Sequence, residues 1–248
     1  MKLKGKTVLV TGGSSGIGKG LVRRFAREGA DVIFAYRANQ EGARALAEEL
    51  CSAGSRAAAF GADLGREEEV RRLFGFVQKE YGRLDILINN AGRTFNVGFE
   101  ELTEESLRRD LDVNLMSTML CSKYAVPLMK GEGWIVNTAS IRGMFDSGRP
   151  GIMGYCAAKA GVISFTKNLA LELAPKICVN AVCPGFVYTP YMEGNISEEL
   201  KESWLRQIPM GGFVEMEELC EVYLLLSTSR ALTGTAIPVD GGYTLLNR

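Results

Sequence analysis

Short β-branched runs alternate with longer stretches of helical periodicity from one end of the chain to the other. The apolar runs Thr7–Val10, Asp31–Tyr36, Ala57–Gly61, Leu84–Asn89, Trp134–Thr138, Cys178–Val182 and Ala236–Val239 predict strands. Between them, apolar positions three and four apart predict helices over about Ile17–Glu28, Gln40–Cys51, Glu67–Tyr81, Glu104–Met129, Ile152–Leu173, Glu198–Gln207 and Met216–Ser227. Gly29, Gly54 and Gly82 stand where left-handed C-caps are wanted. Asn39, Thr103 and Ser197 stand where N-caps are wanted, the last two with acidic residues in the following turn. Repeated β-α units imply a parallel sheet covered by helices on both faces. No linker, low-complexity tract or internal repeat divides the chain. The expectation is therefore one α/β domain over residues 1–248, a Rossmann-type doubly wound parallel sheet of about seven strands.

Composition narrows the class. Among 248 residues, 46% are hydrophobic, enough for a full core, and 29 Lys+Arg balance 29 Asp+Glu. That balance leaves no electrostatic footprint for nucleic acid or an anionic membrane. The cysteines at 51, 121, 156, 178, 183 and 220 form no C-x-x-C, and there is no histidine, so no structural metal is expected. Scattered thiols in a chain of this size fit a reducing cytoplasm. The opening M-K-L-K-G-K-T-V-L-V-T-G-G has too short an apolar run for a signal peptide. No run approaches the roughly 20 apolar residues of a membrane span.

Two segments carry candidate chemistry. T-G-G-S-S-G-I-G (11 to 18) follows the first strand and opens the first helix, with Gly12, Gly16 and Gly18 around Ser14, Ser15 and Ile17. Glycines there let backbone approach a phosphate while the helix N-terminus supplies N–H donors. The spacing is not the commoner G-x-G-x-x-G. The second strand ends in Phe34-Ala35-Tyr36-Arg37, with no carboxylate for ribose hydroxyls and a guanidinium suited to a 2′-phosphate, which favours NADP(H) over NAD(H). Arg37 as a plain solvated loop charge is the alternative. Further on, Tyr155 and Lys159 share a helix face one turn apart, with Ser140 a loop upstream. A free phenol has a pKa of about 10, and an adjacent ammonium draws it toward the range of general acid–base catalysis. By itself the Y-x-x-x-K spacing is common on helix surfaces, and the rest of the chain gives it weight.

Taken in order, these motifs resemble the short-chain dehydrogenase/reductase family in its compact form. The pieces are residues 11 to 18, Asp63-Leu64, N-N-A-G (89 to 92), Asn114, Ser140, Tyr155 with Lys159, N-A-V-C-P-G (180 to 185), Thr189 and P-V-D-G-G-Y (238 to 243). The resemblance implies that Asp63 and Leu64 hold the adenine, a role compatible with Asp63 also forming a cap or turn. It implies that Asn90, Ala91 and Gly92 pack along a ribose, and that Asn114 completes a proton relay through a water. It further implies that Pro184, Gly185, Val187 and Thr189 clasp the nicotinamide carboxamide. Lys159 would hold the nicotinamide ribose and lower the Tyr155 pKa, Ser140 would hold the substrate oxygen, and Tyr155 would pass the proton. Members most like this chain reduce 3-oxoacyl thioesters on acyl carrier protein or oxidise sugars, polyols and steroids, commonly as tetramers, or as dimers, built through helices four and five and the last strand.

The chain departs from the family pattern in two places. The stretch from Ser140 to Tyr155 is longer than usual and includes Arg142, Asp146 and Arg149, and L-A-P-K-I-C-V-N (173 to 180) lacks the usual glycine. The substrate should be bounded by Arg93–Phe99, Ile141–Ile152 and a lid segment over about 190–212. There, Ile196, Leu200, Trp204 and Ile208 either line an apolar cleft or, more in keeping with amphipathicity, pack onto the body. Lys130 and Lys176 could meet an acidic carrier protein or be solvated helix-end charges. Rival readings are a dinucleotide-binding redox sensor without turnover, which needs no acid–base set, and a sugar epimerase or dehydratase, which usually has an added C-terminal domain.

Overall fold

β-branched residues fit a pleated surface covered on both sides, and strands form on those runs. The computed structural model describes residues 1–144, 148–189 and 196–246. Its strands are β1 (Thr7–Thr11), β2 (Asp31–Tyr36), β3 (Ala57–Gly61), β4 (Ile86–Asn89), β5 (Gly133–Thr138), β6 (Ile177–Pro184) and β7 (Ala236–Val239). They make one sheet of order β3-β2-β1-β4-β5-β6-β7, parallel at every pairing. Strand order reverses between β1 and β4, so a crevice opens there at the carboxyl ends of the strands.

Alternate residues of each strand feed opposite faces. Val8, Val10, Val32 and Phe34 pack with Val22, Phe25, Leu46 and Tyr223 of helices α1 (Gly16–Arg27), α2 (Gln40–Ser52) and α8 (Met216–Leu226). Leu9, Ile33, Leu87 and Ile135 face Leu73, Phe74, Val77 and Cys121 of α3 (Glu67–Tyr81) and α5 (Ser117–Ala125). Gly29, Gly54 and Gly82 follow their helices with positive φ. Asn39 accepts from Gly42 N–H, Ser197 from Leu200 N–H, and Thr103 forms a capping box with Ser106. On α6 (Met153–Leu173), Thr166 is tied to the sheet by a buried polar seam. Asn89 Nδ2 donates to Asn137 Oδ1 at 2.9 Å, and Asn137 Nδ2 donates to Thr166 Oγ1 at 2.9 Å.

The expected helix over 104–129 is not one regular helix. It runs as α4 (Glu104–Leu111), a wider π-type turn at Asp112–Met116, α5, and a tight turn at Val126–Leu128 that contains Pro127. An extra residue in one turn swings a side chain inward, and here the wide turn carries the buried Asn114. The expected strand from Leu84 starts at Ile86, because Leu84 N–H donates to the Leu128 carbonyl. The turn lacking the family's glycine closes with a cis Ala174–Pro175 bond. Of the lid stripe, Ile208 is buried and Trp204 stacks on Phe186, while Leu200 on α7 (Glu198–Leu205) is exposed. Residues 190–195 of that segment and Asp146 lie outside the described residues. Among the described residues no helix is long and apolar enough to cross a membrane, and no group of His, Cys, Asp and Glu could hold a metal.

Candidate active site

The carboxyl ends of β1, β4 and β5 bring the glycine-rich turn, the N-N-A-G turn and the Ser140 loop to one cleft of about 520 Å³, within the range of small-molecule sites. A residue outside the expected set organises its floor. Thr11 Oγ1 accepts from the N–H groups of both Asn90 and Ala91 at 2.9 Å, while Asn90 Nδ2 donates back to the Thr11 and Gly12 carbonyls. The two turns are thus stitched together across the point where strand order reverses. A Cβ on Gly18 would stand 2.1 Å from the Gly12 oxygen, so only a bare backbone lets α1 approach this closely.

At the other end, Asn114 is fully buried and its side chain is hydrogen-bonded through both its oxygen and its nitrogen. Its Oδ1 accepts from Arg93 N–H at 2.9 Å, and its Nδ2 donates to the carbonyls of Arg93 and Asp110. Gly92 lies in the gap between Asn114 and Lys159: an added Cβ would meet Asn114 Oδ1 at 2.8 Å and Lys159 Nζ at 3.2 Å. The Lys159 ammonium, 3% exposed, donates to the Thr138 carbonyl at 2.7 Å and stands 5.7 Å from the centre of the Tyr155 ring. Desolvation lowers its pKa from 10.5 to about 8. Burial raises the Tyr155 phenol above its ordinary value, partly countered by the Ser140 and Thr94 hydroxyls and the Arg142 charge. Desolvation outweighs the expected downward pull of lysine on tyrosine, and in the pair it is the amine whose pKa falls. Ser140 caps the short turn Ile141–Gly143, its Oγ accepting from Arg142 N–H at 3.1 Å, which leaves the hydroxyl proton to donate elsewhere.

Most of the anticipated residues share this cleft: Gly12, Ser14, Ser15, Gly16, Ile17, Arg37, Asp63, Leu64, Asn90, Ala91, Gly92, Ser140, Tyr155, Lys159, Pro184 and Gly185. Asp63 also forms the turn anticipated for it, accepting from Gly65 N–H, and the residue before α3 is Arg66. Four residues do not line the cleft. Gly18 and Asn114 lie behind its walls, Val187 is buried and bridges to Val214, and Thr189 is half-buried beyond it. Thr11, Thr94 and Thr138 join the site without belonging to the anticipated set. Thr11 opens the glycine motif and was visible there, whereas Thr138 acts through its carbonyl, which no side-chain pattern reports. A nicotinamide dinucleotide suits this donor set: the glycine-rich turn and the N-N-A-G turn present small residues and backbone along the cleft, and Arg37 is exposed with no carboxylate at ion-pair distance among the described residues.

A cleft at this reversal, ending on hydroxyl and amine groups, defines a dinucleotide-dependent oxidoreductase. The chain belongs to the short-chain dehydrogenase/reductase family. The family model described as enoyl-(acyl carrier protein) reductase matches residues 12–244. The chain is 37% identical over 250 residues to a 3-oxoacyl-[acyl-carrier-protein] reductase of Thermotoga maritima, covering 99% of this chain and 100% of that one. It is 36% identical to a glucose and ribitol dehydrogenase homolog of Arabidopsis thaliana, over 97% of this chain and 86% of the relative. A short-chain dehydrogenase of Burkholderia cenocepacia, solved with NADP, superposes with a TM-score of 0.91 at 32% identity, covering 98% of this chain and 99% of that one. The protein is an NAD(P)-dependent oxidoreductase acting on the CH–OH/C=O pair.

Proposed function

We propose that the protein is an NADPH-dependent carbonyl reductase whose substrate is a 3-oxoacyl thioester, with Ser140, Tyr155 and Lys159 as its catalytic set. The observation that carries this reading is the convergence of those three side chains at one end of a glycine-walled cleft whose other end is bordered by Arg37. When bound, the reduced nicotinamide supplies a hydride to the carbonyl carbon. The Ser140 hydroxyl donates to the substrate oxygen, and Tyr155 gives that oxygen its proton, so the alcohol leaves neutral. The buried Lys159 ammonium lies beside the tyrosine to refill it. Asn114 holds Arg93 and the wide helical turn in place behind the lysine, a position suited to a water relay.

Arg37 makes NADP(H) the preferred coenzyme, because a forked guanidinium matches a phosphate. Asp63, Leu64 and Asn90 to Gly92 take the adenosine half, and Pro184, Gly185, Val187 and Thr189 the carboxamide side. The thioester reading follows the Thermotoga relative, and the Arabidopsis relative keeps a sugar or polyol as the second reading. Exposed Leu107, Leu111, Met116 and Met119 on α4, α5 and the turn between them favour self-association as a homotetramer or homodimer. The end of the lid segment, Trp204 to Ile208, roofs the substrate side.

The purified protein with NADPH is expected to reduce acetoacetyl-CoA, and to do so faster than with NADH. Arg37→Glu should reverse that coenzyme preference by about tenfold or more, the cost of losing a charge-assisted bond and gaining repulsion. Binding of NADPH with no turnover of acetoacetyl-CoA, simple ketones or sugars would favour the sensor reading instead. Gly18→Ala is expected to weaken NADPH binding by at least about tenfold, since its methyl would push α1 off the Gly12 carbonyl. Titration of NADPH fluorescence checks this, and an unchanged affinity would contradict the close approach.

A further inference from the structure

The Ser140 loop is not held from its own end alone. Arg142, whose backbone N–H bonds Ser140 Oγ, sends its guanidinium in the opposite direction, to the far end of the chain. Its Nη2 donates to the Tyr243 hydroxyl at 3.0 Å, and its Nη1 to the Gly148 carbonyl at 3.3 Å. The Tyr243 hydroxyl in turn donates to Gln207 Oε1 at 3.4 Å, just past α7. The guanidinium carbon lies 5.1 Å from the Tyr243 ring centre and 5.9 Å from that of Phe186. Phe186 meets Tyr243 edge-on at 5.3 Å and stacks on Trp204 at 4.8 Å. Below this polar layer, Ile141, Ile208 and Tyr243 form a small buried apolar cluster.

Tyr243 is itself fixed. It opens the last helix, α9 (Tyr243–Leu246), and is 5% exposed. Asp240 accepts from the N–H groups of Gly242 and Thr244 and from the Thr244 hydroxyl, which locks the turn that presents the ring. The P-V-D-G-G-Y segment thus ends in a rigid pedestal for Arg142. Three separate segments, Ser140–Arg142, Trp204–Ile208 and Asp240–Tyr243, meet at one phenol oxygen and one guanidinium.

We propose that Arg142 and Tyr243 form a latch that positions Ser140, and that Tyr243 is a positioning residue for substrate capture. The inference rests on the reading above in which Ser140 binds the carbonyl oxygen. With the guanidinium anchored, the Arg142 N–H stays on Ser140 Oγ, and the serine proton is directed to the substrate. With the anchor cut, the loop can turn the hydroxyl away. Because Gln207 shares the phenol, the same anchor also sets where the Trp204 end of the lid rests. Substrate binding should suffer more than the proton transfer itself, since Tyr155 and Lys159 sit on a different element.

The test compares Tyr243→Phe, Arg142→Gln and the double variant with the unsubstituted protein and Ser140→Ala, using acetoacetyl-CoA and NADPH. Tyr243→Phe keeps the ring packing and removes only the oxygen. Expected are a rise in KM for acetoacetyl-CoA of about tenfold in each single variant, no further rise in the double variant, and a kcat within about threefold. NADPH affinity, read by fluorescence, and melting temperature should stay unchanged. A Tyr243→Phe enzyme with unaltered KM, or additive losses in the double variant, overturns the latch while leaving the catalytic reading intact. An unimpaired Ser140→Ala enzyme, or no turnover by the unsubstituted protein, overturns that reading and the latch with it.

Discussion

Tyr155→Phe is expected to leave a protein that folds and binds NADPH normally but reduces acetoacetyl-CoA about 10²–10⁴-fold more slowly. The substitution removes one oxygen from a half-buried ring and leaves the ring's packing in place. In the proposed mechanism, what disappears is the group that gives its proton to the substrate oxygen. The direction of the phenol's shift matters here. Held above its ordinary value by burial, Tyr155 stays protonated through neutral pH and is ready to donate, as reduction requires. Stopped-flow absorbance of the reduced nicotinamide would measure the loss directly. A rate within a few-fold of the unsubstituted enzyme would remove tyrosine from the mechanism.

Lys159→Met should make the protein inactive and more stable at once. A lysine with a pKa of about 8 when folded and 10.5 when free binds fewer protons in the folded state between those values. Stability therefore rises with pH across that window, and below about pH 8 the cost of the buried charge is present in full. Methionine removes that cost while filling similar space. After allowance for the lost bond to the Thr138 carbonyl, the gain at pH 7 is on the order of 1–3 kcal/mol. Urea unfolding at pH 7 and pH 10 checks it: the gain should be large at the first and small at the second. Reductase activity should drop about 100-fold or more in the variant. In the unsubstituted enzyme, activity that depends on the charged lysine should fall as pH passes about 8. A destabilised Lys159→Met protein would show that the ammonium contributes to the fold rather than being tolerated by it.

The fold was legible because its signals are local. β2, β3 and α3 begin and end where the run of β-branched and small residues or the capping chemistry says. The failures share a cause in tertiary structure. Nothing in D-V-N-L-M announces a widened turn, because it exists to let a buried amide reach the Arg93 backbone. Leu84 has strand character, yet its N–H is taken by a carbonyl more than forty residues away. In the site, side-chain groups such as Tyr155 and Asp63 carry a readable chemistry, whereas the Thr138 carbonyl and the Thr11 crosslink depend on which strands lie side by side. The sense of the tyrosine's shift was equally out of reach, since depth of burial decides it and sequence spacing does not.

The amide ladder from Asn89 through Asn137 to Thr166 has a consequence for how this enzyme fails. Greasy contacts tolerate a helix that slides by a fraction of a turn, because one methyl group replaces another. A chain of directional contacts from Asn89 Nδ2 to Asn137 and on to Thr166 favours a single axial setting, because slippage would break these bonds in a dry interior. The helix bearing Tyr155 and Lys159 is therefore held at one seating, so heat is expected to abolish catalysis and structure in the same transition.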